Sequence, residues 1–125
     1  MSLVSQIVIS EVLYFSAIAS GIWLSHTGKP LNPLILIIHV LIGLGTVVFT
    51  SLTIWSLLKI ETITTVILIL AISLGALIVG LVTSGILLSF DRSNNNQYLR
   101  THNITTILGI IVSSITIYLL AGNSL

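Results

Sequence analysis

Polar positions along the chain fall into a few tight groups, and between them run four stretches of apolar residues. The runs cover about residues 3–25, 33–58, 63–89 and 101–121, separated by HTGKPLNP, by Lys59, Glu61 and Thr62, and by FDRSNNNQYLR. Apolarity inside each run is unbroken, without the period-two alternation of a half-buried strand, and this predicts helices. At about 1.5 Å of rise per residue each run crosses a hydrocarbon layer of roughly 30 Å. The expected fold is therefore an all-α membrane protein, one domain over 1–125, in which four transmembrane helices run up-down-up-down as a bundle. Gly28, Pro30, Asn32 and Pro33 close the first run, because none of them continues a helix comfortably. The opening MSLVSQIVISEVLYFSAIASGIWLS lacks a basic leading region and is too long in its apolar part for a cleavable signal, so it is read as a span.

Composition agrees and narrows the chemistry. Of 125 residues 55% are hydrophobic and 6% charged, with a mean hydropathy of +1.20, outside the range of soluble domains. A net charge of +1 with no basic stretch gives no nucleic-acid surface. The absence of cysteine excludes disulfides, thiolate metal sites, iron–sulfur clusters and covalently attached c-type heme.

One residue in the second run stands against its surroundings. His39 is the single ionisable side chain between Pro33 and Leu58, and hydrocarbon penalises such a group unless it has a partner. His102, at a similar shallow depth in the fourth run, is the candidate partner. A weak internal repeat joins them: SGIWLS near the end of the first run recurs as SGILLS near the end of the third. Ser51, Thr53, Ile54 and Leu57 precede Ser114, Thr116, Ile117 and Leu120 by 63 positions, the separation of His39 from His102. Two hairpins of like orientation, related by an axis along the membrane normal, would bring the histidines into the bundle from opposite sides.

Such a pair suits a six-coordinate heme, whose iron takes one neutral imidazole on each face. Small residues on the histidine faces would make room for the macrocycle: Gly43 after His39, and Thr105, Thr106 and Gly109 after His102. Ala17, Ser20 and Gly21, with Gly80, Ser84 and Gly85, could thin the other two walls, although close helix packing alone also selects small residues. The alternatives for the pair are another metal, such as copper, and structural histidines joined by hydrogen bonds.

Charge gives a second hint. Lys29, Arg92 and Arg100 belong to the two loops at the histidine end, where Arg100 and Lys29 are candidates to meet heme propionates, the plainer alternative being interfacial snorkelling. Glu11 lies inside the first run, nearer the other end, where it could relay protons, touch a quinone head group or make a polar interhelical contact. His26 ends the first run and is expected at the interface.

The segment TGKPLNPLILIIHVLIGLGTVVF, with its threonine–glycine turn, Asn-Pro before the second run and histidine near its start, resembles the four-helix unit of the heme A synthase family. That resemblance implies His39 and His102 as heme ligands. The chain departs from the family in having one unit rather than two, Leu36 where a glutamate is common, and no cysteine pair after the first helix. The functional expectation is a b-type cytochrome carrying heme b in the lipid bilayer, with a prokaryotic cell membrane as its setting. Its partners would be a quinone and a larger redox complex or further copies of the chain. Two rivals are a heme A synthase-like enzyme that modifies the porphyrin and a cofactor-free accessory subunit of a respiratory complex.

Overall fold

The structure, a computed structural model, describes residues 1–28, 30–60, 64–90 and 96–124. It is all-α: α1 spans Leu3–His26, α2 Pro33–Ile60, α3 Thr65–Phe90 and α4 Gln97–Ser124. All four are long and apolar enough to cross a membrane, which makes this an integral membrane protein with the expected all-α, four-helix composition. Among the described residues there is no strand.

Local chemistry sets the helix ends. Ser2 caps α1 by accepting from the Ser5 amide at 3.2 Å. At the other end Thr27 returns its amide to the Leu24 carbonyl at 3.2 Å, and Gly28 leaves the helix at φ +74°, a left-handed conformation that favours glycine. Asn32 then caps α2, its Oδ1 accepting from the amides of Leu34 and Ile35 at 3.0 and 3.2 Å. Pro33 occupies the first helical position, where a missing N–H costs nothing. Thr64 does the same work for α3 through the Ile67 amide at 3.3 Å. α4 begins within the polar QYLRTHN, so its first two turns precede the apolar stretch.

Burial is inverted relative to a soluble bundle. Among the described residues the fully buried side chains are Ser10, Thr50, Thr53, Ser113 and Thr116, whereas Phe15, Leu34, Leu41, Trp55, Ile72 and Val79 are exposed. Hydrocarbon solvates Leu and Ile as well as a protein interior does, so small hydroxyl residues that allow close approach take the interior. Their hydroxyls are satisfied on the helix itself: Thr53 donates to Phe49 O at 2.8 Å, Thr116 to Val112 O at 2.7 Å and Ser113 to Ile110 O at 3.1 Å.

The chain divides into two compact units, Met1–Thr53 and Ile54–Leu125. In the first, Ser10 of α1 and Thr53 of α2 share a buried hydroxyl–hydroxyl bond of 3.1 Å, and Leu13 lies where a Cβ on Gly45 would meet it at 3.9 Å. In the second, α3 packs along α4, and the Thr105 methyl sits 3.6 Å from a Cβ built on Gly80. The repeat extends to burial. Thr46, Thr50, Thr53 and Ile54 are buried, and so are Gly109, Ser113, Thr116 and Ile117, each 63 positions further on.

Candidate functional site

Each unit holds one histidine, and each histidine is held the same way. His39 projects from the second turn of α2 toward α1, where the Ser20 hydroxyl lies 2.9 Å from its Nδ1. His102 projects from α4 toward α3, with the Ser84 hydroxyl 2.9 Å from its Nδ1. Both rings are half-buried. The serines are fixed by their own helices: Ser20 donates to Ala17 O at 3.0 Å and Ser84 to Leu81 O at 3.1 Å. Each serine hydroxyl therefore lies between a carbonyl of its own helix and Nδ1 of a histidine on the neighbouring helix. The Ala17 backbone is a further hydrogen-bond partner of His39.

The residue after each serine is glycine, and the ring lies over it. A Cβ on Gly21 would stand 3.1 Å from Cε1 of His39, and one on Gly85 would stand 3.3 Å from Cε1 of His102. Any larger residue would have to displace the imidazole or its helix. Serine, glycine and histidine thus form one module, written twice: a hydroxyl within hydrogen-bond distance of the ring and a bare backbone that admits it.

The sequence puts Ser20, Gly21, Ser84 and Gly85 on the walls of the site; in the structure they are the immediate partners of the histidines. A Cβ added to Gly43 or Gly109 would meet nothing within 4 Å, so there is open space beside both. Arg100 is exposed, in an open groove of about 290 Å³ lined by Asn96, Leu99, Arg100, Asn103, Ile104 and Ile107. Two residues before His102, it stands about 200° around the helix from it. Lys29, Arg92 and Glu61 lie outside the described residues. Glu11 is partly buried beside Ser10, and His26 is exposed as the last residue of α1. Lys59, at the opposite end of α2, rests over the Trp55 ring at 5.4 Å.

Two polar atoms carry no signal in the sequence. Thr50 Oγ1 and Gln6 Oε1 are buried without a hydrogen-bond partner. Among the described residues no group of three or more His, Cys, Asp or Glu side chains is placed to hold a metal ion.

The fold and these paired modules define an all-α membrane protein with a duplicated serine–histidine hairpin. Compared with protein families, curated proteins and solved structures, the chain gives no match.

Proposed function

We propose that the chain is a membrane-embedded b-type cytochrome in which His39 and His102 are the two axial ligands of a heme b. The observation that supports this reading most is the duplicated module, in which each imidazole has a serine hydroxyl 2.9 Å from its Nδ1. A hydrogen-bonded outer partner of this kind is what metal-bound histidines commonly have. The donor set also fits. A porphyrin supplies four nitrogens of its own and asks the protein for two, so a pair of imidazoles is sufficient without further metal-ligating side chains.

Heme, when bound, supplies one-electron chemistry between ferric and ferrous iron. The protein's part is to hold both rings, exclude water with the apolar helices and stabilise one oxidation state over the other. In this reading the macrocycle would lie along the faces of Gly43 and Gly109, where an added Cβ would meet nothing within 4 Å. Arg100 and Lys29 are the cations assigned to propionates in this reading. Electrons would pass to or from a quinol or a respiratory partner in a prokaryotic cell membrane.

One observation favours a second reading, a cofactor-free accessory subunit: a serine hydrogen bond already relieves part of the cost of burying each histidine. An absorption spectrum of the purified protein distinguishes them. The cytochrome shows the reduced bands of bis-imidazole heme, and His39→Ala or His102→Ala abolishes them; a colourless wild type overturns the proposal. Mass analysis of extracted heme separates an electron carrier, which yields heme b, from a porphyrin-modifying enzyme, which also yields hydroxylated or formylated product.

A further inference from the structure

We propose that the open groove on α4 is a binding site for one anionic phospholipid with a hydroxyl-bearing headgroup, in which Arg100 takes the phosphate. The inference stands independently of the cytochrome reading, which gives Arg100 to a propionate.

The groove is a single stripe of one helix. Arg100 donates its amide to Asn96 O at 2.9 Å, so Asn96 is already in helical register, and Asn103 and Ile107 follow Arg100 at three and seven positions. His102 and Thr105, which meet Ser84 and Gly80 of α3, stand about 200° and 140° around the helix from Arg100. The stripe therefore points away from α3. Asn96, Arg100, Asn103, Ile104 and Ile107 along it are all exposed.

The chemistry of the stripe changes along its length and so selects an amphiphile. Asn96, Arg100 and Asn103 make its first part polar, whereas Ile104 and Ile107, 51% and 58% exposed, make the next part apolar. The whole runs for about 16 Å of helix. A free phosphate ester would use only the polar part, and a bare acyl chain only the rest. A phospholipid uses both, because its phosphate lies at the edge of the hydrocarbon that its chains enter, and α4 passes into its spanning stretch here.

Charge and hydrogen bonding then decide which phospholipid. α4 contributes no acidic residue beside the guanidinium, and a phosphodiester accepts two of its N–H donors at once. The Asn96 and Asn103 carboxamides add donors and acceptors on the same face. Glycerol hydroxyls exchange hydrogen bonds with such groups. A choline headgroup is cationic and has neither N–H nor O–H, so it gains nothing from the asparagines and is repelled by the arginine.

Native mass spectrometry of the purified protein in dodecyl maltoside tests the site, with palmitoyl-oleoyl phosphatidylglycerol titrated against phosphatidylcholine of the same chains. Wild type should bind one phosphatidylglycerol in preference to phosphatidylcholine. Arg100→Gln should weaken phosphatidylglycerol binding about fivefold, the effect of one basic residue at a membrane surface, and leave phosphatidylcholine unchanged. Arg100→Lys, which keeps the charge without the fork, should fall between the two. Asn103→Leu should narrow the preference, and Lys59→Gln, at the far end of α2, should change nothing.

Equal binding of the two lipids by wild type would overturn the proposal. An equal loss in Lys59→Gln would also overturn it, by reducing the effect to overall charge. Glycerophosphoglycerol, the headgroup without chains, should compete weakly; competition as strong as that of the intact lipid would overturn the lipid assignment in favour of a soluble phosphate ester. Arg100→Gln protein that loses heme but keeps its lipid preference would return Arg100 to a propionate and overturn the inference. A colourless wild type that still prefers phosphatidylglycerol through Arg100 would remove the cytochrome reading and leave this site in place.

Discussion

The glycines beneath the imidazoles give the sharpest residue-scale prediction. Alanine at position 21 or 85 brings a methyl to 3.1 or 3.3 Å from a ring carbon, so the ring must move by a few tenths of an ångström. Overpacking of this kind costs about 1–3 kcal/mol, whereas the better helix propensity of alanine returns about 1 kcal/mol. Gly21→Ala and Gly85→Ala should therefore destabilise the purified protein by about 0–2 kcal/mol, measured by unfolding in detergent, and under the proposed cytochrome reading should also lower heme loading by disturbing the serine contact. Gly43→Ala and Gly109→Ala enter open space and should leave the heme-free stability unchanged or slightly raised. Reduced heme loading in those two variants, with stability retained, would mark the surface on which the macrocycle lies. His39 and His102 are legible in the sequence as costly residues in apolar runs. Their serine partners are not, although SGI is visible in both halves. Ser20 and Ser84 are 64 positions apart and the histidines 63, because the connections between helices differ in length. A fixed repeat offset therefore never sets a serine opposite its histidine.

At the scale of the helices, the apolar runs are readable because hydrocarbon leaves the backbone no other regular choice, and the capping residues Asn32 and Pro33 mark a boundary by ordinary helix chemistry. What the sequence hides is which face of each helix is interior, since Ile, Leu and Val occupy both. The most deeply buried positions among the described residues are instead hydroxyl residues, and one contact tests their role. Ser10 meets Thr53 at 3.1 Å in the first hairpin, while the repeat places Leu74, itself buried, where Ser10 would recur. Each hydroxyl of the pair also lies within reach of a carbonyl on its own helix, Gln6 O at 2.9 Å and Phe49 O at 2.8 Å, so whichever donates across the pair gives up its carbonyl and regains it when the partner is removed. Removing one therefore strands little. A double-mutant cycle of Ser10→Ala with Thr53→Val should give a coupling of about 0.6 kcal/mol, the usual size for interhelical hydrogen bonds in membranes. A coupling near zero would assign the interior hydroxyls to close packing alone.

For the whole molecule, the inverted distribution of side chains carries a topological consequence. Exposed Phe15, Leu41, Ile72 and Val79 are stable only if lipid covers them, and four spanning helices then require both chain ends to emerge on one side of the membrane. The native chain contains no cysteine, so single introduced thiols report without background. Ser2→Cys, before α1, and Gly122→Cys, near the end of α4, should react with a membrane-impermeant maleimide from the same face of oriented vesicles. Thr27→Cys and Asn96→Cys, at the ends from which His39 and His102 are reached, should react only from the other face. Leu41→Cys, an exposed position within α2, should be unreactive from either side, because lipid and not water surrounds it. If Ser2→Cys and Gly122→Cys label from opposite faces, one helix does not span. The two serine–histidine modules would then sit at different depths, and a single heme could not take both imidazoles.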